Sequence, residues 1–496
     1  MGIQRKLTIC YIEGMETVPF FERFWQDIAG WAVLLDVIVT VLTLVWVLHL
    51  KRETMSAIAW SLTVVLVPFL GALLFFLFGY QWVARPLRRK QRRLRLFKQL
   101  CVWSSEASVP VPRRWQMLAR LAEHTEGFPV TAGNAVEFYH EGKALYAALV
   151  EAIESARHHV HIQFFIFRPD ACGQQMIEAL CAAARRGVIV RFLYDSMGAH
   201  DLSRRLLRQL RRAGGRHAPF LPLLNPFYRL RVNLRNHRKI VVVDGRVAFV
   251  GGFNIGREYL GLDRRYGQWR DTHLRLEGPA VAGLQRVFLE DWHFASNEAV
   301  GGEEYYPRWT KPQGEVLAQV VASGPDSEYK AIRETYFAAI VRARKRVWLA
   351  SPYYVPDTGL QDALCLAARS GVDVRLLILF RPDKWLPFLA ARFYWGDLLA
   401  AGGKIYQYLP GMMHSKYLLV DGEWASVGTA NFDNRSLFLN FEVNCQFFDR
   451  RVVQSLEERF LADLSQSIQV DPQVFAQRPW MSRIFENGAR LFSPVL

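Results

Sequence analysis

Cysteine is scarce in this chain: six among 496 residues, at positions 10, 101, 172, 181, 365 and 445, with no Cys-x-x-Cys pair. That spacing excludes a zinc site of the usual kind and a disulfide framework, and points to reduced, mostly buried thiols. The clustered Asp and Glu side chains that hold magnesium for phosphoryl transfer are also missing. The His158-His159-Val-His161 run has no carboxylate companion and straddles a strand start, so it is not read as a metal site. Acidic residues are outnumbered, 46 Asp and Glu against 62 Lys and Arg, giving a formal net charge of +16. Such a surplus favours an anionic partner, either nucleic acid or the headgroups of acidic phospholipids. A small-residue cleavage site near the first apolar run is lacking too. Thirty residues of mixed charge precede that run, which argues against a cleaved signal peptide.

What the chain does have is apolar surface: 51% of its residues are hydrophobic, enough for large cores in two or three domains. Trp31 to Leu48 is apolar apart from Asp36, and Ala57 to Phe78 carries no charge. A stretch of that length suffices to cross a hydrocarbon core of about 30 Å at about 1.5 Å per residue. Only a short turn separates the two, so they are expected to form a two-span α-helical membrane hairpin, with Asp36 reaching the interface and Pro68 and Gly71 marking a kink. A basic collar follows from Arg85 to Lys98, beside the membrane, and reads as an anionic-lipid contact and a cytoplasmic topogenic signal.

Behind the hairpin lies an internal duplication. Ala179 to Arg191 and Ala363 to Arg375 share ten of thirteen residues, and each reads as an Ala-rich helix, a Gly stop and a strand. About fifty residues after each comes a motif, His237-x-Lys239-x4-Asp244 and then Gly251-Gly252-x-Asn254. Its second copy reads His414-x-Lys416-x4-Asp421 and then Gly428-Thr429-x-Asn431. Strands and helices in this series predict an α/β fold, two tandem α/β sandwich domains on mixed sheets related by a pseudo-twofold axis. The expected organisation is a tail over 1–29, the hairpin over 30–83, a basic linker over 84–115, a first domain over 116–300, a linker over 301–314 and a second domain over 315–496.

In a strand, residues two apart share a face, so His237 pairs with Lys239 and His414 with Lys416. If the halves pack about a twofold axis, two imidazoles and two ammonium groups meet in one cleft, a set suited to a phosphodiester. The lysines, with the Asn254 and Asn431 amides, would hold nonbridging oxygens. One neutral histidine can attack phosphorus while the other, protonated, donates to the leaving alkoxide. Asp244 and Asp421, at strand ends before Gly, read first as turn residues and second as catalytic ones. Glu442 is a candidate for orienting His414 and Asp271 the best candidate partner of His237, and both read equally well as ordinary buried salt-bridge carboxylates. No metal ligand set and no cofactor is called for. The stretch Lys384 to Trp395 mixes cations with aromatics, as an interfacial helix or an ordinary packed one would.

At these motifs the chain resembles the phospholipase D superfamily and, within it, the membrane-anchored bacterial cardiolipin synthases. The resemblance extends to Ala59-Trp60, Val67-Pro68-Phe69-Leu-Gly71, Ser351-Pro-Tyr353-Tyr-Val-Pro356, Asn431-Phe-Asp433-Asn-Arg435-Ser436 and Arg490 to Leu496. It implies phospholipase D-like domains, catalysis by His237, Lys239, Asp244, His414, Lys416 and Asp421, and a phosphatidyl-histidine intermediate. It further implies transfer between two phosphatidylglycerols to give cardiolipin and glycerol, at the cytoplasmic face of a bacterial inner membrane. On that reading the partners are phosphatidylglycerol and an anionic membrane, and no nucleic acid. The same histidines would also serve a phospholipase D or a phosphatidylserine synthase. A membrane-tethered nuclease would use them too, whereas a non-catalytic scaffold would have let one motif decay.

Overall fold

Two tight turns, Asp244-Gly245 and Asp421-Gly422, mark the same point in two copies of one unit. In the computed structural model all four residues take positive φ, from 55° to 70°, a region that Gly adopts freely and Asp tolerates better than branched residues. The first copy contributes β1 (Thr131–Tyr139), β2 (His159–Phe164), β3 (Ile189–Asp195), β4 (Arg216–Phe220), β5 (Ile240–Val243), β6 (Val247–Gly251) and β7 (His273–Glu277). The second repeats them as β8 (Val316–Ser323), β9 (Arg346–Ala350), β10 (Asp373–Leu379), β11 (Lys404–Tyr408), β12 (Tyr417–Val420), β13 (Trp424–Gly428) and β14 (Asn440–Phe447). In space the order is β11-β10-β9-β12-β13-β14-β8-β1-β7-β6-β5-β2-β3-β4, a palindrome about the β8–β1 pair, with Ser467–Gln469 added outside β11. The two copies therefore share one continuous sheet, joined where Thr131 lies opposite Ala318.

The structure describes residues 18–50, 54–76, 108–126, 128–222 and 234–496. The basic collar from Arg85 to Lys98, the first seventeen residues, the Lys51-Arg52-Glu53 turn, Cys10 and Cys101 lie outside the described residues. The chain divides into a unit ending at Ala84 and a second unit from Arg85 onward.

In the N-terminal unit, helix α1 (Val18–Leu50) contains a stretch, Ile28–Leu50, long and apolar enough to cross a membrane. The second apolar run is not one straight span. Helix α2 (Thr54–Leu66) stops before Pro68, and α3 (Leu70–Leu74) packs back against it. Phe75 meets Trp60 edge to face at 5.5 Å, and a side chain at Gly71 would collide with the Thr63 carbonyl. Glycine at that position lets the two backbones touch. The kink expected at Pro68 and Gly71 is thus a reversal. Asp36, expected to reach the interface, accepts the Phe69 N–H through its carboxylate at 2.8 Å and so caps the reversal.

The sheet is covered on both faces, which is why β5 (Ile240 to Val243) and β12 (Tyr417 to Val420) are apolar throughout and fully buried. Helices α4 (Gly142–Ser155), α5 (Ala171–Arg185) and α6 (Val281–Ser296) serve the first copy; α7 (Ala331–Val341), α8 (Thr358–Arg369) and α10 (Arg450–Ser465) serve the second. The second copy also carries α9 (Trp385–Ala400) and α11 (Trp480–Arg490). The duplicated helices begin and end alike. Asp170 caps α5 by accepting from Cys172 and Gly173 N–H, and Asp357 caps α8 from Gly359 and Leu360. Gly187 at φ 90° and Gly371 at φ 87° follow their C-terminal ends, as the Gly stops in the sequence suggested.

One boundary shifts in space. Gln116–Glu126, expected to open the first domain, packs on the second copy. Trp115 stacks on Trp424 with ring centres 6.1 Å apart, and the buried Gln319 amide donates to the Ala119 and Phe128 carbonyls at 3.1 and 2.8 Å. The apolar face of that helix, with Leu118 and Ala122 fully buried, is covered there.

Candidate active site

Each motif histidine is placed by a short strand that crosses to the other copy. Arg235–Asn236, just before His237, runs parallel to Asn440–Phe441 of β14. Gly411–Met413, just before His414, runs parallel to Gln268–Arg270 of the first copy. The pairing continues into the histidines themselves: His237 N–H donates to the Phe441 carbonyl at 3.0 Å, and His414 N–H to the Arg270 carbonyl at 2.7 Å.

This crossing overturns the expected carboxylate pairing. His237 Nδ1 lies 2.9 and 3.1 Å from the two oxygens of Glu442, whereas Glu442 was expected on His414. His414 Nδ1 lies 2.5 Å from Asp271 Oδ2, whereas Asp271 was expected on His237. Sequence proximity misled because the strand carrying each carboxylate pairs with the segment entering the opposite motif. Both carboxylates are fully buried, and each histidine is only 9% exposed. With Nδ1 donating to a carboxylate, Nε2 is the nitrogen available to a substrate.

The motifs differ after their first Gly, where each meets the carboxylate of its own copy. A side chain at Gly252 would overlap the Asp271 carboxylate. At the equivalent position Thr429 donates its hydroxyl to Glu442 at 2.6 Å, and Asn440 Nδ2 donates to the other oxygen at 3.3 Å. Asp271 is held by the Thr272 N–H at 2.8 Å.

Lys239 and Lys416 are buried beside the imidazoles, each folded back to donate to the backbone carbonyl of its own motif histidine, Lys239 at 2.6 Å. Lys416 Nζ is also 2.9 Å from His414 Nδ1. That nitrogen cannot accept from Lys416 while donating to Asp271, and the carboxylate, which can only accept, decides its tautomer. Asn254 is held inside the protein: its carbonyl oxygen accepts the Ile166 N–H at 3.0 Å and its Nδ2 donates to the Tyr259 hydroxyl at 3.2 Å. The buried Asn431 carbonyl oxygen meets no hydrogen-bond donor among the described residues.

Asp244 and Asp421, named among the catalytic candidates, stand at the far ends of β5 and β12 from the histidines. Asp244 accepts the N–H groups of Arg157, His158 and His159 at 2.8 to 2.9 Å. Asp421 accepts those of Arg344, Lys345 and Arg346 at 2.7 to 2.8 Å and pairs with Arg114. Their carboxylates fasten each turn to the strand start beside it, because a residue at positive φ aims its side chain back across the hairpin. Of the histidine run, His159 and His161 are buried around Gln285, 3.3 and 2.8 Å from its amide.

Electrostatics separates the two halves. Burial, then Lys239, Lys416, His414 and Lys384, holds the His237 imidazole well below its ordinary pKa. Burial and Lys416 lower His414 to about 4, against the pull of Asp271. Burial pushes Glu442 up to about 7 despite Lys239 and Thr429. Asp271 is also driven up by burial, yet Lys416 and His414 outweigh it and hold the carboxyl below its ordinary value. Burial lowers both lysines, Lys239 most. Two aromatic walls escaped the reading of the sequence: Phe165 packs edge to face on His237, and Trp269 lies tilted at 55° against His414, each with ring centres 5.0 Å apart. Trp269 was adjacent to a candidate, in Trp-Arg-Asp271, but nothing in the spacing of Phe165 distinguished it from core.

A duplicated α/β unit whose two His-x-Lys motifs share a buried cleft defines the phospholipase D class. The family described as "Cardiolipin synthase, PLD-like domain" matches residues 149–292 and 336–464, and a phospholipase D-nuclease N-terminal family matches 38–79. A cardiolipin synthase of Geobacillus thermodenitrificans (strain NG80-2) is 42% identical over 90% of both chains. One from Geobacillus kaustophilus (strain HTA426) is 40% identical over 95% of both. Among solved structures, the phosphatidylserine synthase of Haemophilus influenzae Rd KW20 superposes with a TM-score of 0.57 at 15% identity, over 77% of this chain and all of that one. The chain belongs to the cardiolipin synthase family of phospholipase D-like enzymes.

Proposed function

We propose that the chain transfers a phosphatidyl group from one phosphatidylglycerol to a second, giving cardiolipin and glycerol. His237 Nε2 attacks phosphorus, the bond to the glycerol oxygen breaks, and protonated His414 delivers its proton to that oxygen. The primary hydroxyl of the second phosphatidylglycerol then attacks, His414 takes up its proton, and the phosphorus–nitrogen bond breaks. Lys239 and Lys416 offset charge on the nonbridging oxygens. Both imidazoles start neutral in this cationic site; an arriving phosphodiester anion favours protonation of one of them.

The observation that carries the role assignment is the unequal pair of orienting carboxylates. Asp271 stays ionised and stabilises an imidazolium on His414, which suits the group that carries the proton. Glu442 titrates near neutrality and, once ionised, accepts from His237 Nδ1 and leaves Nε2 with a lone pair. Helix α1 supports a membrane anchor, and the collar from Arg85 to Lys98 supports a cytoplasmic catalytic body at a bacterial inner membrane, the positive-inside arrangement.

The acceptor distinguishes this reading from a phosphatidylserine synthase or phospholipase D. Labelled phosphatidylglycerol supplied alone should yield cardiolipin and glycerol in equal amounts. Phosphatidic acid as the main product, or capture by added serine in preference to phosphatidylglycerol, would replace the synthase reading with one of those activities.

A further inference from the structure

Helix α11 is amphipathic with its apolar side outward. Trp480, Met481, Ile484 and Phe485 are 69%, 51%, 55% and 61% exposed, and Leu491 and Phe492 continue the stripe. Its inward side carries Ala489 and Glu486, both buried, and Glu486 pairs with Arg392 of α9 and with Arg478, each at 2.8 Å. A helix that buries its only carboxylate between two arginines and leaves two aromatics and an isoleucine in solvent is built to meet a second apolar phase.

Charge and position indicate which phase. From Val474 to Phe492 the only acid is the buried Glu486, while Arg483 and Arg490 are exposed. The stripe also leads to the cleft. The residues after it dock on α9 and on the segment that follows the second motif: Asn434 Nδ2 donates to the Ser493 carbonyl at 3.1 Å, Arg435 Nη1 to that of Val495 at 3.2 Å, and the Tyr394 hydroxyl meets that of Ser493 at 3.1 Å. Lys384, at the start of α9, acts on His237, and the next residue, Trp385, is 68% exposed.

We propose that α11 is an interfacial helix that lies in the headgroup layer of an anionic phospholipid bilayer, seating the cleft mouth at the surface that holds its substrate. The apolar face of such a helix sinks about 5–10 Å, to the headgroup–acyl boundary, while flanking arginines remain among the phosphates. The choice of partner rests on the lipid-substrate reading of the site, but docking is measurable without turnover.

The test uses the full chain with Cys10 and Cys101 replaced by Ser, carrying Ile484→Cys or, as a reference on α10, Ser455→Cys. Each is labelled with an environment-sensitive fluorophore and placed in phosphatidylglycerol nanodiscs containing brominated acyl chains. The label at 484 should be quenched by the brominated lipid at least threefold more than the label at 455, and shielded from aqueous iodide. The contrast should weaken when the lipid is made zwitterionic. Free iodide access at 484 would overturn the proposal. So would shielding at 484 without quenching by the brominated lipid, which would mean a second copy or another segment of this chain covers the stripe. Loss of cardiolipin formation with quenching intact would remove the synthase reading and leave the docking helix standing. Ile484→Ser with Phe485→Ser should raise the apparent KM on vesicles at least tenfold at an unchanged melting temperature; an unaltered vesicle KM would count against the helix.

Discussion

Glu442→Gln tests the crossed pairing most directly. In the wild-type site the carboxylate accepts from His237 Nδ1 at 2.9 Å and is itself held by Thr429. As Nε2 bonds to phosphorus the imidazole gains positive charge, so a charged acceptor at Nδ1 stabilises the transition state more than the ground state. A hydrogen bond to a charged group contributes about 1.5–3 kcal/mol against about 0.5–1.5 for a neutral one. Removing the charge alone then costs about tenfold in rate at about 1.4 kcal/mol per decade. A Gln can also turn its NH2 toward Nδ1, which places the ring proton on Nε2 and blocks attack; wrong-tautomer losses of this kind reach about 10⁴ in a serine protease triad. The expected loss in His237 attack is about 10² to 10⁴. A phosphatidyl ester of p-nitrophenol isolates the step, because that leaving group needs no general acid. Burst release of nitrophenol should be lost in His237→Ala and Glu442→Gln, and retained in His414→Ala and Asp271→Asn. If Glu442→Gln kept its burst and Asp271→Asn lost it, the carboxylates would serve the histidines of their own copies and the crossed assignment would fall.

The burst should also decline as pH falls through about 7, because protonated Glu442 no longer accepts from Nδ1, and the slow residual release by Glu442→Gln should show no such acid limb. Asp244→Ala and Asp421→Ala each delete three carboxylate-to-backbone hydrogen bonds. Each should destabilise by about 3 kcal/mol and lower the melting temperature, with the burst per folded molecule changed less than threefold; a burst lost at full stability would return these residues to the chemistry. Cysteines at Met55 and Phe76, flanking the reversal at Pro68, should react with an impermeant maleimide from the same side of the membrane. Labelling from opposite sides would mean that the second apolar run opens and crosses.

The motifs and the duplicated helices were legible because they depend on local rules. The Asp-Gly turns and the Gly stops after α5 and α8 each answer to a backbone constraint written within a few residues. Sequence also placed the two imidazoles in one cleft, through the repeat. It could not say which carboxylate serves which ring, since Asp271 lies 143 positions from His414 and Glu442 205 from His237. Nor could it see that Gln116–Glu126 leaves its own copy, or that α11 faces outward, because amphipathicity names two faces without saying which is covered. The aromatic mixture at the start of α9 turned out divided: Trp385 is exposed, whereas Trp395 is fully buried.

The crossed carboxylates make the two copies a single inheritance. A mutation that disables one half removes its histidine and, with it, the tautomer control of the other, so neither half retains a working fallback on which drift can act. Duplication ordinarily frees one copy to change; here both are bound by one shared phenotype. A lone ancestor of this unit, paired with its twin about a twofold axis, would already have exchanged carboxylates in the same way. Within one chain the two sides are free to differ, and they do, with Asp271 against Gly252 on one and Glu442 against Thr429 on the other. The difference between the attacking and the proton-carrying histidine would be the product of that lost symmetry.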